Sequence, residues 1–321
     1  MELYLELFER LSRRARWKIT RDQQCVIASI LATVPLDDPF GTLEEAASVL
    51  RNRSGWFGPL TSPVRWVVAA MLLRRGLPPG RVHERVVGHL AALKKRGLPW
   101  GGTGRTLAAV LLALASDPDD ATETHDRIER IHRLWKADHP HITGDDDLPM
   151  VALHAMRDEA PGALSDRIED IYRELHRGGF PRGNALQLST QILGVYPWSA
   201  GEAAGRFHAI RDAFVDRGEK IRRGRFDEVA LLSRAPRIPF EIVESVLDDR
   251  DRLRSVKPRP WKEISFSIAT GLHLARCEAV AGEGLPSFQE LSAIEQVRAA
   301  LQAQQAALAG VFVSSVATSS G

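Results

Sequence analysis

The sequence predicts an all-α protein of paired helices stacked as an α-solenoid-like array. Apolar residues recur at helical spacing along the chain, and no long stretch alternates as a strand would. Gly and Pro punctuate the chain so that helix-sized segments remain between them. Residues 60–114 also fall on residues 142–196, without a gap, when moved forward by 82 positions. Ala70 then meets Ala152, Arg75 meets Arg157, Pro79-Gly80 meets Pro161-Gly162, and Gly97-Leu98-Pro99 meets Gly179-Phe180-Pro181. Leu111 meets Leu193, and Val110 meets Ile192. A fixed period of this kind marks a repeat architecture.

The elements follow in order. Residues Glu2 to Arg14 form an amphipathic first helix, and Gln23 to Val34 a second with a strongly apolar face. Thr42 opens a third as an N-cap, with Glu44 and Glu45 placed where acids complement the helix dipole. Val64 to Arg75 is almost wholly apolar, and Gly80 to Arg96 and Thr103 to Ala115 follow. The next pairs are Ala121 to Lys136 with Leu148 to Arg157, and Ser165 to Arg177 with Ala185 to Val195. Ala200 to Arg217 pairs with Phe226 to Arg234, and Phe240 to Val256 with Lys262 to Cys277. In each pair one helix is amphipathic and the other more apolar, so neighbours must cover the second on both sides. One pair spans about 40 residues, the size of stacking helical units. Residues 1–285 are read as one helical-repeat domain with an N-terminal cap helix, 286–312 as a C-terminal capping helix, and 313–321 as a flexible tail.

The bulk numbers narrow the function classes. The chain has 321 residues, 44% apolar and 26% charged, which suits a folded protein and not a disordered one. Its net charge of +2 gives no overall field toward nucleic acid or membrane. Two distant cysteines, Cys25 and Cys277, cannot form a disulfide framework and read as buried thiols. No secretory signal and no transmembrane stretch is read, so a cytoplasmic location is expected.

Four segments carry a resemblance: HITGDDDLPMVALHA (141–155), GGFPRGNALQLSTQIL (178–193), PWKEISFSIA (260–269) and AALQAQQAALAG (299–310). Together with RWKIT (16–20) they resemble an uncharacterised bacterial family of about this length, known only as a domain of unknown function. The resemblance implies an all-helical fold. It carries over no activity and no functional residues.

The densest polar cluster runs from His139 to Asp147. His139, His141, Asp145, Asp146 and Asp147, with His154 on the following helix, have the ligand types of a divalent-metal site. The plainer reading is a turn in which Asp146 or Asp147 caps the helix that starts at Leu148. The matching loop, Leu60-Thr61-Ser62-Pro63, lacks all three acids, which suggests that the fold does not demand them. Asp119-Asp120-Ala121-Thr122-Glu123 has the spacing of a magnesium-binding aspartate motif, but it stands at a helix start where acids are common. Trp56, Trp100, Trp198 and Trp261 recur near loops and could form a recognition strip or plug gaps between units. Arg222, Arg223 and Arg225 lie in one basic run and Arg250, Arg252 and Arg254 in another, and both could follow a phosphate backbone, although Asp248, Asp249 and Asp251 dilute the second and the net charge is low. Gly101-Gly102-Thr103-Gly104 follows a helix, so these glycines are read as allowing close packing and not as a phosphate loop.

No complete catalytic set appears. The sequence therefore points to a protein- or peptide-binding helical-repeat module with no resident cofactor. A metal-dependent ligand binder or enzyme using the His139–Asp147 loop is the alternative, and nucleic-acid binding through the Arg-rich loops the weaker one.

Overall fold

A computed structural model describes residues 2–14, 19, 21–32, 34, 38–54, 60, 64–98, 103–235, 237–255 and 262–281. Their regular structure is helix, joined by turns and loops, with no strand among the described residues. They divide into two compact units, one of residues 2–83 with 250–272 and one of residues 84–249 with 273–281. The proposed capping helix and tail (286–312 and 313–321), with Trp56, Trp100 and Trp261, lie outside the described residues.

In the first unit α1 (Glu2–Arg14) packs on α2 (Arg21–Leu31), α3 (Pro39–Ser54) on α4 (Val64–Arg74), and α2 on α4. Tyr4, Leu7, Phe8 and Leu11 make one buried stripe on α1 at the spacing its sequence shows. On α4 the run from Trp66 to Leu72 is buried on every side, as its continuous apolar character requires.

The second unit holds most of α5 (Pro79–Lys95), then α6 (Thr103–Ala115), α7 (Thr122–Asp138), α8 (Leu148–Ala155), α9 (Pro161–Arg177), α10 (Asn184–Leu193), α11 (Ala200–Asp216) and α12 (Phe226–Leu232). Helices α13 (Pro239–Ser255) and α14 (Lys262–Ala281) follow. The amphipathic helices meet in sequence, α7 on α9 and α9 on α11, and each carries its apolar partner: α8 on α7, α10 on α9, α12 on α11. Apolar helices also meet, α6 with α8 and α10 with α12.

The amphipathic helices share one register of buried positions. Val86, Ile128, Ile168 and Phe207 hold one position, and Leu93, Trp135, Leu175 and Phe214 another. Every residue of α8, and Leu186 to Leu193 of α10, is buried. Leu111 and Leu193, matched by the 82-residue shift, are both core residues.

Helix ends repeat as well. Gly179 (φ 94°) and Gly218 (φ 77°) end α9 and α11 in the left-handed conformation that glycine adopts without Cβ strain. In both, the amide after the glycine returns to the helix: Phe180 N–H to Leu175 C=O at 3.2 Å and Glu219 N–H to Phe214 C=O at 2.9 Å. At the corresponding place α7 has His139, with φ −133°. There Thr143 Oγ1 and the His139 amide both donate to the Trp135 carbonyl, at 3.2 and 2.9 Å.

Candidate functional site

The His139–Asp147 loop joins α7 to α8, and its acids do separate jobs. Asp145 sits in a single 3-10 turn, Asp145–Asp147, laid against the start of α6. Its carboxylate accepts from the amides of Gly104 (2.8 Å) and Arg105 (3.1 Å). These amides have no partner inside their own helix, and a carboxylate there also meets the positive end of the helix dipole. The approach is close: a Cβ on Gly104 would stand 2.0 Å from the Asp145 carbonyl oxygen. This is the close packing expected of the glycine-rich stretch.

Asp147 faces inward. One oxygen accepts from the Gly144 amide at 2.9 Å, and the other from Gln191 Nε2 at 2.8 Å and Gln187 Nε2 at 3.3 Å. Gln187 Nε2 also reaches Thr143 Oγ1 at 2.9 Å. No side-chain cap of α8 by Asp147 is formed, in contrast to the capping expected from sequence. The carboxylate instead ties the loop to α10. Asp146 and His141 are exposed.

His154 is fully buried on α8 and packs edge-on against Trp135, with ring centroids 5.6 Å apart. Its Nε2 lies 2.9 Å from the Gln191 carbonyl, which can only accept, so Nε2 carries the proton. Burial, aided by Arg157 and Arg167, pushes its pKa down to about 4. His139 stands apart, with Nε2 2.8 Å from Glu169 and its ring tilted on Tyr172. The residues proposed from sequence as one ligand set thus take different partners. Among the described residues, no group of three or more His, Cys, Asp or Glu is arranged to hold a metal ion.

Of the other sequence candidates, Trp198 and Arg225 are engaged. Trp198 stacks on Tyr196 at 4.5 Å, with the rings 13° apart. Arg206 lies over Trp198 at 4.6 Å, and Arg234 over Tyr196 at 4.2 Å. Arg206, Trp198, Tyr196 and Arg234 thus make one contiguous set of ring and guanidinium contacts at the turn between α10 and α11. Arg217 pairs with Glu244 at 2.8 Å, and Arg225 lies 3.9 Å from Glu219, so part of the basic run is neutralised. Arg222 and Arg223 are exposed.

Two arrangements went unread in the sequence. Arg85, Arg127 and Arg167 hold one register position on α5, α7 and α9, and each reaches the carbonyl end of the apolar helix in its own pair. Arg85 donates to Ala113 O (3.3 Å), Arg127 to Ala155 O (2.9 Å) and Glu159 O (2.7 Å), and Arg167 to Gly194 O (2.9 Å) and Tyr196 O (2.6 Å). Cationic donors suit these carbonyls, which no helix can satisfy internally. The 82-residue shift already sets Arg85 on Arg167.

The second is a buried histidine pair. His125 Nε2 lies 2.9 Å from His89 Nδ1, and His89 Nε2 3.1 Å from the Ser116 carbonyl. The carbonyl must accept, so neutral His89 has a bare Nδ1 and His125 donates to it. Burial lowers both pKa values, His125 to about 4.

These features define an all-helical protein among its described residues, whose buried polar groups tie helices together both within a pair and between pairs. The chain belongs to the family described as protein of unknown function (DUF4003), whose model matches residues 7–306. No curated protein and no solved structure matches it. Among the described residues, no helix is long and apolar enough to cross a membrane.

Proposed function

We propose that the pairs from α5–α6 to α11–α12 are successive units of an α-solenoid-like array that binds a protein or peptide partner. The observation that carries this reading is the arginine lock. Three helices place Arg85, Arg127 and Arg167 in one register, and each closes the end of its own partner helix. A device repeated once per pair is what a stack of similar units needs, since each unit contacts mainly its neighbours. Such stacks present long surfaces suited to extended chains.

The polar groups favour binding over chemistry. Asp145, Asp147, His154 and Trp198, the strongest sequence candidates for a reactive or recognition site, are all committed to internal contacts. The exposed faces of α7 and α9 carry mixed charge, including Arg133 with Glu129 and Arg173 with Asp170. That composition suits a polar, segmentally charged peptide. Selection of displayed peptides on the immobilised full chain tests the reading. A consensus peptide should emerge whose affinity falls at least tenfold in an Arg133→Glu, Arg173→Glu variant. Failure to enrich any sequence, or an affinity indifferent to that variant, refutes it.

A further inference from the structure

Between α13 and α14, donors line up toward a sulfur. Arg276 Nη2 lies 3.0 Å from Ser245 Oγ, Ser245 Oγ 3.0 Å from His273 Nδ1, and His273 Nε2 3.5 Å from Cys277 Sγ. Asp249, itself buried, forms an ion pair with Arg276 and holds it in place.

The direction of each link follows from its chemistry. A guanidinium has no acceptor, so Arg276 donates and Ser245 Oγ accepts. The serine hydrogen is then free to point at His273 Nδ1. Burial, together with Arg276 and Arg237, lowers the His273 pKa to about 4, so the ring is neutral near pH 7 and carries one proton. With Nδ1 accepting, that proton sits on Nε2 and points at Cys277 Sγ. Each link polarises the next, so the series strengthens toward the sulfur. A donor of this kind stabilises a thiolate more than a thiol.

We propose that Cys277 is a nucleophilic thiol activated by this relay, and a modification site for soft electrophiles such as disulfides. The imidazole gives the sulfur a hydrogen bond and does not take its proton, so the activation is stabilisation of the thiolate and not general-base catalysis. Both thiols are buried, Cys277 with 5% exposure and Cys25 with none, so Cys25 serves as the comparison for a buried thiol. In the reaction the thiol proton leaves to solvent and the Cys277 thiolate attacks one sulfur of a disulfide. A new S–S bond forms, the old one breaks, and its electron pair departs on the leaving thiolate. His273 keeps its proton throughout and acts by hydrogen bonding.

The test is reaction of the folded full chain with an aromatic disulfide reagent across pH, with each cysteine followed by peptide mass spectrometry. Cys277 should react at least tenfold faster than Cys25 near neutral pH. Its rate should titrate below the ordinary thiol value of about 8.5. Arg276→Met removes the half-exposed start of the relay at little risk to folding, and Ser245→Ala removes its middle. Both should slow Cys277 by about tenfold and move the midpoint up, while His273→Gln, which keeps an N–H donor, should retain part of the rate. The proposal is overturned if Cys277 reacts only after denaturant is added. It is equally overturned if neither Arg276→Met nor Ser245→Ala moves the midpoint while circular dichroism shows native helix content.

Discussion

His154→Gln separates titration from packing at the centre of the second unit. Folded His154 has a pKa of about 4, because burial in α8 penalises the charged ring. The unfolded chain returns it to about 6.5. The folded state therefore binds fewer protons, and stability rises with pH wherever the unfolded state holds more of them. The contribution is intact above about 6.5, is lost as pH falls from there, and levels off below about 4. Each unit of difference corresponds to about 1.4 kcal/mol, so the full loss from this residue is about 3 kcal/mol. Glutamine keeps an N–H for the Gln191 carbonyl but does not titrate. Near pH 7 the variant should be less stable by about 1–3 kcal/mol, the usual cost of imperfect replacement in a core. Near pH 4.5 that deficit should shrink by roughly 2–3 kcal/mol and can change sign. Urea unfolding followed by far-UV circular dichroism at both pH values gives the two differences directly. An unchanged deficit would mean that His154 is charged in the folded state or is not buried, and the proton assignment toward Gln191 would fail with it.

Gly104→Ala must displace the Asp145 backbone, from which its Cβ would stand 2.0 Å. It should cost about 1–3 kcal/mol or more, measured by the same unfolding assay. Asp145→Ala frees the Gly104 and Arg105 amides and should cost about 0.5–2 kcal/mol. In the double variant the two costs should not add, because both act on one contact. Arg127→Met leaves the end of α8 without its cationic donor and should cost about 1.5–3 kcal/mol. Arg206→Met, at the next register position but exposed, should cost no more than about 0.5 kcal/mol apart from its contact with Trp198. Leu193→Ala and Leu111→Ala should each cost about 2–5 kcal/mol, with chemical denaturation as the measure.

The helices were legible because periodicity and punctuation report burial directly. The alternation of amphipathic and apolar helices in the sequence reappears as α7, α9 and α11 each carrying a more apolar partner. Boundaries moved where tertiary contacts intervened. Asp119–Ala121 is a separate turn ahead of α7, and α8 stops at Ala155, whose carbonyl accepts from Arg127. Glycine was read well at Gly104 because its only use there, close approach, is local to the residue.

The candidate site was less legible, and Asp145 shows why. The acid-free sequence at residues 60–63 suggests a fold that can do without the acids, yet Asp145 caps α6 and Asp147 binds Gln187 and Gln191. A cap contributed by another segment, here 41 residues away in the chain, leaves no local pattern to read. The loop before α8 meets the start of α6, so its chemistry answers to that helix. Arginine escaped notice for the opposite reason. Arg85, Arg127 and Arg167 each look like ordinary charged residues on amphipathic helices, and only their shared register with a carbonyl end sets them apart. In this chain, then, a polar residue is better judged by the helix end or side chain it meets in the fold than by its own local sequence. Asp145 and the arginines both become intelligible on that rule, and so does the reach of Arg276 from α14 back to Ser245 on α13.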